Sequence, residues 1–281
     1  MIFHACSQYV YDWIARQNHV KEESLTDWIL YEISQRCNFV YYQAFSRHEE
    51  AQNGSDWEWW ILTTDYSRRN NFNAYRFLVQ AKKLLSDGRD NYPLISYGNK
   101  YGTQVDLLLE SAQVRHALPM YMFYSTGEVD ILEQINNVQY IESKAHKWCE
   151  NCINGCYMSL ANVVYDLLYK MPRIKVIDSL ILNNSFKFSI LDLVFGKTNK
   201  DISAIMDVFN NRLILEKIVG DEIYYRSNVK GIKYNEMSIP NYLQVFIQSM
   251  SSQNADLNWI EREMEITDIS GLGVIDLRQI D

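Results

Sequence analysis

A chain of 281 residues that is 47% hydrophobic and 22% charged, with 20 Tyr and 7 Trp, can build a sizeable core, which excludes an intrinsically disordered protein. Only 4 Pro and 11 Gly argue against a sandwich of many tight turns, so a mixed α/β fold is expected. The formal net charge of −8 weighs against a nucleic-acid partner, although binding follows the local field rather than the total.

The first predicted element is a helix over residues 24–37, with Ser24 as N-cap and Asp27 three residues on. Residues 39–45 read as an aromatic and β-branched strand, followed by a polar turn over 47–54 that ends in Asn-Gly. A second strand covers 56–63 and carries Trp57, Trp59 and Trp60. An Asn-rich turn over 65–73 leads to a third strand over 74–81. Residues 83–102 are irregular. A helix over 103–115 follows, with Val105, Leu108, Leu109 and Ala112 at helical spacing, and then a strand over 119–124. The helical crossover lets this fourth strand lie parallel to one of the first three.

Further on, residues 157–170 read as a buried helix, 186–195 and 202–209 as short alternating elements, and 213–225 as a strand or hairpin. Residues 242–250 are expected to be helical and 250–256 a surface loop. The final ITDISGLGVIDLRQI reads as a buried strand with a turn at Gly271 and Gly273. The expected division is a core over 1–140 and a mixed extension over 141–281 packed on it, with one elaborated domain preferred to two. No apolar run approaches bilayer length. MIFHACSQYVYDW lacks the basic region, apolar stretch and small-residue cleavage site of a secretion signal, and five Cys do not make a disulfide framework. The expectation is a cytoplasmic protein without a membrane partner.

The chemistry concentrates in FSRHEEAQNGSDWEWWILT, from Phe45, and AYRFLVQAKK, ending at Lys83. If the second and third strands are antiparallel neighbours, Asp56 and Lys82 meet at one end of a sheet. A carboxylate beside a lysine there suits metal-dependent phosphodiester hydrolysis. Glu58 shares the Asp56 face and is the rival ligand in that strand, whereas Trp57 and Trp59 share the opposite face as packing residues. Taken singly, Asp56 reads equally as a turn cap and Lys82 as a solvated strand end. Agreement among the turn, the aromatic strand, the Gln80-Ala81-Lys82 triplet and the element order is what singles them out. Arg47, Arg68, Arg69, Arg76, Lys82, Lys83 and Arg89 crowd near this centre, most of them readable as solvated loop charges.

Residues 20–125 resemble the core of the restriction-endonuclease-like nucleases, the PD-(D/E)XK superfamily. There an αβββαβ core carries an Asp at the start of the second strand and an (E/Q)xK triplet on the third. The pattern EE…GSDWEWW…VQAKKL also resembles a bacterial family of that superfamily. The resemblance implies an α/β fold with a mixed sheet and a mixed α/β C-terminal elaboration. It implies a DNA-hydrolysing enzyme, with RNA as the alternative substrate, in defence against phage or foreign DNA. It further implies Mg²⁺ or Mn²⁺ held by Asp56, the Gln80 side chain and the Ala81 carbonyl, with Lys82 orienting water or stabilising phosphate charge. Gln forms of the site are often supported by a further acid from the first helix, for which Glu23, Asp27 and Glu32 are candidates. Glu50, reaching Asp56 across the turn, is favoured, with Glu32 next. A dimer or a regulatory partner is expected to supply what an acidic chain lacks. The alternative is an inactive relative that keeps the fold for nucleic-acid or protein binding.

A second constellation, His146-x2-Cys149-x2-Cys152-x3-Cys156, has spacing suited to zinc or, with a distant fourth ligand, to an iron–sulfur cluster. The same thiols also read as small apolar residues on a helical stripe, one that Asn154-Gly155 interrupts.

Overall fold

Apolar residues at helical spacing build the first two elements. Helix α1, Ile2–Arg16, buries Phe3, Cys6, Val10 and Ile14. Helix α2, Glu22–Arg36, buries Leu25, Ile29, Leu30 and Ile33. A computed structural model describes residues 2–44, 54–64, 72–85, 91–127, 153–169, 181–182, 185–188, 191–192, 233–235, 239–251 and 271–279. Helix α2 begins two residues before the expected Ser24 cap. Lys21 is the extended N-cap residue, and Glu22 and Glu23 place negative charge in the first turn, where the helix dipole favours it.

The strands are β1 (Val40–Ala44), β2 (Trp57–Thr64), β3 (Phe72–Lys83), β6 (Leu118–Tyr124), β7 (Cys156–Leu160), β8 (Phe186–Lys187), β9 (Lys233–Asn235) and β10 (Gly271–Asp276). Together they form one eight-stranded mixed sheet, ordered β1-β10-β2-β3-β6-β7-β8, with β9 paired to the start of β3. A small hairpin, β4 (Gly98–Asn99) with β5 (Gly102–Thr103), follows the one-turn helix α3 (Tyr92–Ile95). Thr103 then caps helix α4 (Gln104–Val114) by accepting from the Asp106 N–H. Helices α5 (Ala161–Tyr169) and α6 (Asn241–Ser251) complete the described elements, with a 3-10 turn at Leu277–Gln279.

The expected antiparallel pairing of the second and third strands is present as β2 with β3, and β6 lies parallel to β3 as the crossover predicts. The C-terminal half departs from expectation in places. Strand β10, from the C-terminal half, lies between β1 and β2, antiparallel to β1 and parallel to β2. The glycines expected to form a turn sit inside that strand. At Gly273 a Cβ would come 2.8 Å from the Trp59 indole, so the ring and the strand fit only without a side chain there. The helix expected over 157–170 begins at Ala161, and Cys156–Leu160 is a fully buried strand against β6. A short run buried on both faces carries no period to separate strand from helix. Strands from both sides of residue 140 share the sheet. The elements expected over 202–209 and 213–225 lie outside the described residues. Among the described residues no helix is long and apolar enough to cross a membrane.

Candidate metal centre

Register positions Asp56. Trp57 faces Val79 across the β2–β3 pair, and the Asp56 N–H extends the ladder to Val79 O at 2.9 Å. Asp56 therefore stands beside Gln80 and Ala81. Two residues earlier, Gly54 adopts φ +71° against the first turn of α4, where a Cβ would lie 2.5 Å from Gln104 O. Only glycine allows the chain to enter β2 along that path.

One Asp56 oxygen, Oδ2, accepts from Gln80 Nε2 at 2.6 Å and from the Ala81 N–H at 2.7 Å. The same Gln80 nitrogen donates to Ala81 O at 3.0 Å. A carboxylate oxygen and a carbonyl oxygen thus converge on one point, held by an amide that can present nitrogen or oxygen there. Hard oxygens of these three kinds are the donor set that Mg²⁺ and Mn²⁺ prefer, so the residues fit such an ion. Among the described residues no group of three or more His, Cys, Asp and Glu is placed to hold a metal ion, so this set relies on amide and carbonyl oxygens.

Sequence reasoning missed Glu22. As the first residue of α2 it turns Oε2 to the Lys83 N–H at 2.6 Å and stands with Oε1 4.0 Å from Lys82 Nζ. Burial pushes its carboxyl up to about 7, with the Asp56 and Glu23 charges adding, while Lys82 and the Lys83 N–H oppose the rise. The signal in the sequence is an acid at Glu22 beside the candidate Glu23, ahead of an apolar period. Glu22, Glu23, Thr26, Asp27, Tyr42, Asp56, Trp57, Ala81 and Gly271 line a small open cleft. Tyr42 Oη donates to Asp27 Oδ1 at 3.1 Å on its far wall.

Other expected residues lie elsewhere. Glu32 is ion-paired with Arg36 one turn on, and its charge acts on Cys6. Ten residues of helix carry it about 15 Å along the axis from Glu22, so it does not line the cleft. Glu58 is no rival ligand. It is fully buried, with Oε2 accepting from Arg76 Nε at 2.9 Å and Nη2 at 2.6 Å, and Oε1 accepting from Trp60 Nε1 and Tyr242 Oη. Arg76 is accordingly a buried partner and not part of a basic surface. Trp57 and Trp59 are buried packing residues, as expected.

Glu50 lies outside the described residues, as do Arg47, Arg68, Arg69 and Arg89. So do His146, Cys149 and Cys152. Cys156 is described and is a buried thiol on β7, pushed well up by burial beside Ser7.

A family described as a family of unknown function, DUF6615, matches residues 1–264. No curated protein and no solved structure matches the chain.

Proposed function

The chain belongs to DUF6615, and we propose that it is a metal-dependent nuclease that hydrolyses DNA phosphodiester bonds on a restriction-endonuclease-like core. One observation carries the reading. The Gln80 amide meets the Asp56 carboxylate and the Ala81 carbonyl at a single point, with Glu22 and Lys82 alongside. Asp56, Gln80 and Ala81 would hold Mg²⁺ or Mn²⁺, and Glu22 would supplement the single charge of Asp56. When bound, the ion polarises a phosphate oxygen and lowers the pKa of a water.

The remaining work falls to the chain. The Ala81 N–H and the Gln80 amide fix Asp56 Oδ2 before any ligand enters, and Gln80 would turn its amide to present oxygen to an ion. Trp57 and Ala81 supply apolar lining beside the carboxylates. Lys82, 13% exposed, supplies a positive charge for the phosphate or holds the attacking water. Glu23 and Asp27 make the approach acidic, and the whole chain carries −8. A second copy or a partner subunit with a basic surface therefore belongs to the reading. Defence against foreign DNA in a bacterial cytoplasm is the setting that the resemblance implies.

The absence, among the described residues, of an acid-rich metal cluster favours a second reading. In it, the fold is an inactive module that binds nucleic acid or protein. Plasmid incubated with Mg²⁺ or Mn²⁺ decides between them. The first reading requires cleavage by the wild type that is lost in Asp56→Ala and Lys82→Ala. No cleavage with either metal, with and without cell extract to supply a partner, supports the second. A parallel digest of RNA identifies the substrate class.

A further inference from the structure

Lys83 follows the triplet and projects from the opposite face of β3 to Lys82. Its two nitrogens grip one neighbouring segment. The backbone N–H donates to Glu22 Oε2 at 2.6 Å, and the ammonium donates to the carbonyls of Asn18 and, at 3.0 Å, Val20. Those carbonyls belong to the connection between α1 and α2, the stretch that launches Glu22. At that start Lys21 makes no side-chain capping bond to the first turn. The anchor comes from β3. We propose that Lys83 is a positioning residue: by clamping the α1–α2 connection to the end of β3, it holds Glu22 at the Asp56 cleft. Its ammonium is committed to backbone oxygens, which separates its task from that of Lys82 one residue earlier. The inference rests on the reading of Asp56 as a divalent-cation site.

Titration of Mn²⁺ into the full chain, alongside amide hydrogen exchange of residues 17–25, tests it. Lys83→Met keeps the alkyl stem and the Glu22 backbone bond but removes the clamp. It is expected to weaken Mn²⁺ binding roughly tenfold and to speed exchange of that segment, at temperatures well below unfolding. Lys83→Arg, which keeps a donor to the carbonyls, is expected to restore both. Should Lys83→Met fail to fold, Lys83→Gln serves the same comparison. Unchanged Mn²⁺ affinity in a folded clamp-free variant overturns the proposal while leaving the metal reading intact. So does weakened affinity with unchanged exchange, because the lysine would then act through charge. A wild-type chain that binds no Mn²⁺, together with an Asp56→Ala variant that behaves identically, overturns both.

Discussion

Glu22 holds a proton across a pH range in which an ordinary glutamate has lost it. Its folded pKa is pushed up to about 7 from 4.5, so between those values the folded chain binds a proton that the unfolded chain has released. Stability must therefore fall as pH rises from about 4.5 to 7 and level off above. Glu22→Gln removes this term. Urea unfolding of both chains in metal-free buffer, in steps across that range, should show the variant gaining on the wild type as pH rises. A constant difference would mean that Glu22 titrates normally. Glu58 is a fully buried carboxylate with donors on both oxygens. Glu58→Ala strands the Arg76 guanidinium and is expected to cost about 3–5 kcal/mol in the same unfolding measurement. A surface-like loss below about 0.5 kcal/mol would show that the Arg76 pairing does not persist in solution.

At the scale of elements, the neighbours of β2 decide most. Strand β3 is joined to it by a local antiparallel pair, and this pairing was readable because Asp56 and Gln80-Ala81-Lys82 sit on consecutive strand-like runs. Strand β10 on its other side comes from more than 200 residues away, and no local pattern announces such a partner. The contact that fits the two together is Trp59 over Gly273. Gly273→Ala drives a methyl group into the indole and is expected to cost about 1–3 kcal/mol by overpacking. Thermal melting followed by tryptophan fluorescence reports it. An unchanged melting temperature would place the ring elsewhere. Strand β7 teaches a related lesson: Tyr157 and Met158 belong to an apolar run whose neighbours, and not its own period, make it a strand.

For the whole molecule, the consequence is that the sheet closes only when both ends of the chain meet. Phe39 O accepts from the Asp276 N–H, and Arg278 pairs with Asp276 while its guanidinium lies 4.5 Å over the Phe72 ring. Helix α6 is tied to the sheet through Tyr242 on Glu58. The family match ends at residue 264, before β10 begins at Gly271. A chain cut after residue 264 keeps the Asp56 and Lys82 motifs but loses the strand that separates β1 from β2. It is expected to lose cooperative unfolding by circular dichroism. Retention of a wild-type melt would show that β1 and β2 can pair directly.

Asp56, the triplet, the α2-β1-β2-β3-α4-β6 order and the packing role of Trp57 and Trp59 were legible because each depends on short-range periodicity, turn residues and adjacent strands. Glu22 at the Asp56 cleft, Glu58 as a satisfied structural anchor and β10 as a central strand were not. Each depends on which surfaces the folded chain brings together: the start of α2 on Lys83, Tyr242 on Glu58, Gly273 on Trp59. Charge and hydrophobicity along a chain identify which residues seek partners. Burial and long-range register choose the partners, because an unpaired buried charge or a Cβ inside a ring costs more than any local preference can offset.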